Sequence, residues 1–118
     1  QGKSYNADIF NSLHHDCLRF IKKELQTPFA GKKVVVTHHV PTFRHYPKKY
    51  IDSPINEGFA VDLSSLIADS GPYCWIYGHH HHNSPEFLIG KTRMLTNQLG
   101  YVERREHAGF SKERTVEL

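Results

Sequence analysis

The sequence predicts an α/β layered domain, because helical and strand patterns alternate along its 118 residues. Apolar side chains recur at steps of three and four over residues 6–26, which indicates an amphipathic helix. Short apolar runs at residues 33–38 and 73–78 have the composition of strands, and a second helical pattern at residues 58–69 lies between them. This order favours a sheet with helices packed against it.

The ends of the first elements are marked by residues that cap or interrupt helices. Asn6 or Ser4 can cap the first helix, and Pro28 prevents its continuation. The strand at residues 33–38 is apolar without alternation, so we expect a central strand that is covered on both faces. Residues 40–57 contain three prolines and predict a long loop, which in a compact domain is often functional.

The last third of the chain is predicted to extend the sheet. Gly71 and Pro72 end the second helix. Residues 87–89 and 92–95 predict a hairpin-like pair of strands, and residues 115–118 at the end of the chain predict a last strand.

Composition and charge narrow the class of protein. Hydrophobic residues make up 38% and charged residues 23%, which is typical of a globular chain. The net charge is only +3 and the basic residues are dispersed, so a basic nucleic-acid-binding surface is disfavoured. Cys17 and Cys74 are predicted to be small core residues without a disulfide. Because no apolar run is long enough to span a membrane, we expect a cytoplasmic protein with no membrane partner.

Ten histidines are the unusual feature of the composition, and two groups of them follow predicted strands. His38 ends the first strand, and four consecutive histidines follow the second. Because side chains alternate along an extended chain, His79 and His81 are expected on one side and His80 and His82 on the other. Neutral imidazoles at neighbouring strand ends can converge on a transition metal. If the two strands are neighbours, His38, His79 and His81 are candidate metal ligands, and the alternative is that they are ordinary surface histidines.

Two motifs carry a resemblance to a known family. Thr-His-His-Val-Pro at residues 37–41 and Gly-His-His-His-His-Asn at residues 78–83 resemble the last two signature blocks of the calcineurin-like metallophosphoesterases. The resemblance implies that His38 and His79 bind one metal of a two-metal centre. It also implies that His81 binds the second metal. The identity of the two metals is left open among manganese, iron, zinc and nickel.

The same resemblance sets expectations for the fold and for the other residues of the motifs. It implies that residues 1–118 form a single partial domain, the C-terminal half of a layered α/β/β/α metallophosphoesterase sandwich. His39, His82 and Asn83 are then expected to support the ligands or to contact the substrate. The intact protein is expected to be a hydrolase that acts on phosphoesters with two divalent metals.

Three earlier blocks of that family are absent from this sequence, which contains no Asp-x-His, no Gly-Asp and no Gly-Asn-His. In the family those blocks supply the bridging aspartate, further metal ligands and the histidine that assists the leaving group. Carboxylates offset the repulsion between two cations, and nothing in the sequence places Asp52, Glu57, Asp62 or Asp69 at the site. We therefore expect this chain alone to be an inactive fragment that binds at most one metal.

A second hypothesis belongs to a different class of protein. The chain is then a non-catalytic interaction or structural domain, which forms a homo-oligomer through an exposed sheet edge or pairs with a missing half. An unpaired strand edge with an apolar face would favour such an association.

Overall fold

A computed structural model describes residues 6–118, apart from the side chain of Glu57. The chain divides into a first unit that ends at Ala30 and a second unit of residues 31–118. The second unit is mixed α/β, with short helices and a four-stranded sheet. The α/β class predicted from the sequence is therefore confirmed.

One long helix dominates the described part of the first unit. Helix α1 spans Ala7–Gln26, and the side-chain oxygen of Asn6 accepts a hydrogen bond of 3.0 Å from the Ile9 N–H. This bond confirms Asn6 as the cap, whereas Ser4 lies outside the described residues. None of the residues of α1 is fully buried. Cys17 is accordingly exposed, so the prediction that it is a core residue was wrong.

The sheet positions the histidines. Its strands are β1 Val34–Val36, β2 Cys74–Ile76, β3 Phe87–Ile89 and β4 Thr92–Leu95, and they lie in the order β1-β2-β4-β3. Strand β2 pairs in parallel with both β1 and β4, whereas β3 and β4 form an antiparallel pair. This pair confirms the predicted hairpin, and Gly90 at its turn has φ +57°.

Strand β1 lies at an edge of the sheet and not at its centre. It pairs with β2 on one side, and no other strand in the described part of the chain pairs with it. Val34 and Val36 remain 37% and 70% exposed. The prediction of a central strand covered on both faces was therefore wrong. A run of valines favours a strand but does not reveal what lies beside it.

The buried core of the second unit is built on the two inner strands. Cys74 and Trp75 of β2 and Met94 of β4 are almost completely buried, as is Ile67 of the helix that precedes β2. Trp75 also donates from its indole Nε1 to Thr37 Oγ1 at 3.0 Å. The core therefore fixes the backbone at Thr37, directly before His38 and His39.

Short helices interrupt the predicted loop and replace the second predicted helix. Helix α2 spans Lys48–Ile51 and α3 spans Ser64–Ser70, and the N–H of Ser64 donates to Asp62 Oδ1 at 3.0 Å. The helix predicted over residues 58–69 starts late because Ala60 pairs with Val40 in a parallel β-bridge. Its end at Gly71, with φ +56°, is as predicted.

The end of the chain adds 3₁₀ turns at Val102–Arg104 and Glu106–Gly109. Residues 115–118 form no strand, so that prediction was wrong. The end of the chain is held by side-chain hydrogen bonds and not by strand pairing. Arg114 donates to the Thr96 carbonyl at 2.7 Å, and the Tyr73 hydroxyl donates to the Glu117 carbonyl at 3.2 Å. Among the described helices, none is both long and apolar enough to cross a membrane.

Candidate metal centre

Backbone hydrogen bonds hold the two histidine segments side by side beyond the ends of β1 and β2. The Thr37 N–H donates to the Ile76 carbonyl at 3.0 Å, and the Gly78 N–H donates to the His38 carbonyl at 3.1 Å. The ladder between the parallel strands thus continues into the loops that carry the histidines. Ligands in parallel sheets are commonly bound at this carboxyl edge.

Two imidazole nitrogens meet at this edge. His38 Nε2 lies 2.7 Å from His79 Nδ1, and the two ring centroids are 4.7 Å apart. The His39 ring lies beside both, with centroids 5.1 Å from His38 and 4.7 Å from His79. Two nitrogens at this distance need a proton or a cation between them, because two bare lone pairs would repel each other. The sequence predicted that His38 and His79 lie close together, as they do here, whereas His39 was expected to face the other way.

The surroundings of His79 favour its neutral form. Burial, followed by the neighbouring rings of His39, His38 and His81, lowers the pKa of His79 to about 4. Phe59 contributes to the apolar surroundings, with its ring centroid 4.6 Å from that of His79. A neutral imidazole is the form that can bind a metal.

The donor set fits a transition metal in part. Two nitrogens that share a tetrahedral zinc at about 2.0–2.1 Å lie roughly 3.3 Å apart. The facing nitrogens of His38 and His79, now 2.7 Å apart, would therefore separate by about 0.6 Å. Within the described part of the chain, no three His, Cys, Asp or Glu side chains form a group that could hold a metal ion. The pair by itself offers two of the four nitrogen or oxygen ligands that a tetrahedral metal needs.

The histidine run is not an extended strand. Strand β2 ends at Ile76, and His79 and His81 have φ values of +76° and +51°. Residues other than glycine rarely adopt such backbone angles, which cost on the order of 1–3 kcal/mol and concentrate at functional sites. The expected alternation of an extended chain therefore does not apply here. Left-handed residues at two positions, and not the pleat of a strand, orient the rings.

His80 is the most buried histidine of the run, with 6% of its surface exposed. Its ring stacks on that of Tyr46, with centroids 5.5 Å apart and planes 5° from parallel. Burial and the neighbouring His82 lower the pKa of His80 to about 4. His82 is exposed, and its ring contacts that of His80 at 5.8 Å. His80 thus joins the run to the loop that contains α2.

Gln98 contacts three histidines of the run, His80, His81 and His82, and also Asn83. Its Nε2 donates to the His82 carbonyl at 2.8 Å and lies 3.1 Å from His80 Nδ1, and its Oε1 accepts from the His81 N–H at 2.8 Å. Asn83 exchanges two further hydrogen bonds with the Gln98 backbone, at 2.6 and 2.8 Å. Asn83 therefore supports the shape of the run, and its role towards a substrate stays a prediction.

The closest described contacts of His81 are with other residues than His38 and His79. His81 Nδ1 is 2.9 Å from Glu106 Oε2, and the His81 ring meets that of Tyr101 edge-on at 4.7 Å. The N–H of Tyr101 donates to Glu106 Oε2 at 2.7 Å. This bond and the one to His81 hold the pKa of the Glu106 carboxyl below its usual range.

Sequence reasoning missed Gln98, Glu106 and Tyr46. Gln98 lies within the turn-rich segment that follows β4, a position from which a side chain can reach the neighbouring strand end of β2. That placement was the available signal. Neither Tyr46, in a proline-rich loop, nor Glu106, in a charged tail, carries a comparable signal in the sequence.

The fold and the site define a mixed α/β unit with an imidazole pair at the carboxyl edge of its parallel strands. No protein-family model matches the chain, and no solved structure matches it. The chain is similar to "Uncharacterized protein L509" of Acanthamoeba polyphaga mimivirus, with 36% identity over 107 residues that cover 85% of this chain. The chain spans 37% of the length of that relative.

Proposed function

We propose that this chain carries part of the metal centre of a metal-dependent phosphoester hydrolase of the calcineurin-like type. The observation that carries the proposal is the meeting of His38 Nε2 and His79 Nδ1 at 2.7 Å beyond two adjacent parallel strands. The motifs at residues 37–41 and 78–83, which led to the resemblance, supply these two side chains. In this proposal the α/β unit is the C-terminal half of a layered α/β/β/α sandwich.

The roles of the histidines follow from their surroundings. His38 and His79 hold one divalent cation through the nitrogens that face each other, and imidazole ligands suit zinc, nickel and iron. His81 serves the second cation of the complete site. When bound, such cations would supply Lewis-acid chemistry, which polarises phosphoryl oxygens and activates water. His39, whose ring lies against both members of the pair, supports their position.

The chain alone does not supply a complete hydrolytic site in this proposal. A second cation beside the first needs carboxylate ligands, and the described residues contain no group of three side chains that could hold an ion. The chain spans only 37% of the viral relative, which leaves room for such ligands in a longer protein. We therefore expect no metal-dependent hydrolysis of an aryl phosphate ester by this chain by itself.

Metal analysis tests the proposal directly. The protein is purified without a metal-affinity column, dialysed against zinc or nickel, and its bound metal is counted by mass spectrometry. We expect about one ion per chain at most, and loss of this ion in the double variant His38→Ala/His79→Ala. The matched control is His14→Ala/His15→Ala, which removes two adjacent histidines from α1 and should leave the metal content unchanged.

Two outcomes would contradict the proposal. Equal metal content in the wild type and the His38→Ala/His79→Ala variant would show that these two histidines do not bind the metal. Hydrolysis of an aryl phosphate ester by the chain alone, abolished by His79→Ala, would contradict the claim that the site needs further ligands.

The exposed edge of the sheet supports a second candidate function, that of an interaction domain that pairs with a second copy of itself. Val36 of β1 is 70% exposed, and unpaired strand edges with apolar side chains promote association. Sedimentation would then detect a dimer that Val36→Lys dissociates. The matched control is Leu88→Lys on β3, the opposite edge strand, where the side chain is 58% exposed. A monomer at all concentrations would contradict this candidate.

A further inference from the structure

We propose that Glu106 is a positioning residue that holds the proton of His81 on Nδ1 and thereby presents the Nε2 electron pair of that ring. The assignment of this electron pair to a metal rests on the proposed function. The orientation of the ring and its protonated nitrogen do not, and both can be measured on the chain without metal.

The contact itself is short and partly shielded from water. His81 Nδ1 lies 2.9 Å from Glu106 Oε2, and the two side chains are 32% and 24% exposed. A carboxylate has no proton to donate, so the hydrogen bond requires that His81 Nδ1 carries one. In the neutral ring the only remaining electron pair in the plane is then on Nε2. Tyr101 closes one side of the ring, with an edge-on contact at 4.7 Å.

Glu106 is held in place independently of His81. Its Oε2 accepts the N–H of Tyr101 at 2.7 Å, and its own N–H donates to the Tyr101 carbonyl at 3.2 Å. Arg105, directly before it, has φ +57°, a backbone angle that costs free energy at a residue with a side chain. The turn at residues 101–106 thus holds the Glu106 carboxylate in a fixed position where it can accept a hydrogen bond from His81.

Gly100 makes this approach possible. A Cβ atom at residue 100 would lie 2.6 Å from Glu106 Cβ and 3.2 Å from His81 Cβ, and Gly100 itself has φ +64°. A side chain there would therefore force the two partners apart. Three positions within seven residues, Gly100, the left-handed Arg105 and Glu106, together bring the carboxylate to His81.

The arrangement is the one that metal-binding histidines usually show. Such histidines donate their second ring N–H to a carboxylate or a carbonyl, which fixes the tautomer and raises the basicity of the ligating nitrogen. Loss of such a partner typically weakens metal affinity by 10–100-fold. His38 and His79 instead face each other, so of the three predicted ligands it is His81 whose ring hydrogen-bonds to Glu106 in the described chain.

Nitrogen NMR of the metal-free, isotope-labelled chain tests the assignment. At about pH 8, where an ordinary histidine is neutral, correlations between ring protons and ring nitrogens distinguish a protonated nitrogen from a bare one. We expect His81 Nδ1 to be the protonated nitrogen in the wild type. In Glu106→Ala we expect His81 to shift towards the mixture of tautomers that a ring in water adopts. Glu106→Gln, whose amide oxygen can still accept, should retain most of the wild-type pattern.

The control is Glu103→Ala, which removes another carboxylate from the same turn and should leave the His81 nitrogens unchanged. Protonation of His81 on Nε2 in the wild type would overturn the proposal, and this result needs no variant to fold. Unchanged His81 shifts in a folded Glu106→Ala would overturn it as well. Neither result bears on metal binding by His38 and His79, so the two proposals fail separately.

Discussion

The rings of Tyr46 and His80 stack with planes 5° from parallel and centroids 5.5 Å apart. This contact joins the loop that contains α2 to the histidine run. Tyr46 is 6% exposed, and its hydroxyl meets no hydrogen-bonding partner among the described residues. Burial also raises the pKa of Tyr46 above its usual value. The ring therefore contributes packing, while the hydroxyl contributes a desolvation cost.

Two substitutions separate the ring of Tyr46 from its hydroxyl. Tyr46→Phe keeps the stack and removes the unpaired group, so the free energy of unfolding should stay the same or rise by up to about 1 kcal/mol. Tyr46→Ala removes the ring from the core and should lower it by about 3–5 kcal/mol. Urea denaturation measures both. A loss of more than about 1 kcal/mol in Tyr46→Phe would mean that the hydroxyl has a partner after all.

Gln98 should be far more sensitive than an ordinary glutamine. Gln98→Leu preserves the size of the side chain but leaves the His81 N–H and the His82 carbonyl without their partner. Each unpaired group costs about 1–3 kcal/mol when it is buried. Because both hydrogen bonds are only partly buried, we expect a loss of about 2–4 kcal/mol in the free energy of unfolding. Gln26→Leu, at an exposed position of α1, is the control and should change it by less than about 0.5 kcal/mol. Similar values for the two variants would show that the Gln98 network is not structural.

The parts of the fold that the sequence predicts are those set by local pattern. The hairpin β3–β4 follows from two apolar runs around Gly90, and helix α1 follows from its periodicity and from Asn6. The position of β1 in the sheet depends on what lies beside it, and a run of three valines is compatible with an edge and with a centre. Burial of a strand is a property of its neighbours and cannot be obtained from its own residues.

The same distinction applies to the candidate site. His38 and His79 could be paired from the sequence because each follows an apolar strand, and parallel strands bring their carboxyl ends together. Glu106 could not be found in this way. It reaches His81 only because left-handed residues at Gly100 and Arg105 fold the chain back, and such angles leave little trace in a sequence when the residue is arginine.

The two glycines Gly100 and Gly58 should respond differently to an added methyl group. Gly100→Ala places a Cβ at φ +64° and 2.6 Å from Glu106 Cβ, so the free energy of unfolding should fall by about 1–3 kcal/mol or more. A Cβ atom at Gly58 would lie in open space, with no contacting atom of the described chain within 4 Å. Gly58→Ala should therefore change stability by less than about 1 kcal/mol. Thermal unfolding of the two variants measures the difference, and equal shifts would contradict the close packing at Gly100.

An ion pair between Arg93 and Glu86 should give the sheet a defined dependence on pH. Glu86 directly precedes β3, and Arg93 lies in β4. Arg93 Nε and Nη2 lie 2.6 and 3.2 Å from the two carboxylate oxygens of Glu86, so the pair links the two strands of the hairpin. This hydrogen bonding lowers the pKa of Glu86 below the usual 4.5 in the folded chain. A carboxyl with a lowered pKa stabilises the fold above its unfolded-state pKa. That stabilisation disappears as the pH falls through the folded-state value.

Glu86→Gln tests this dependence. The glutamate side chain is 39% exposed, so water and salt screen the pair, and we expect a loss of only about 0.5–1 kcal/mol at neutral pH. Because Glu86 is protonated in both states in strong acid, the difference between variant and wild type should shrink towards zero as the pH falls below about 4. Glu103→Gln, an exposed glutamate outside the hairpin, is the control and should show no such trend. A difference that persists or grows in acid would assign the effect of Glu86 to packing and not to its charge.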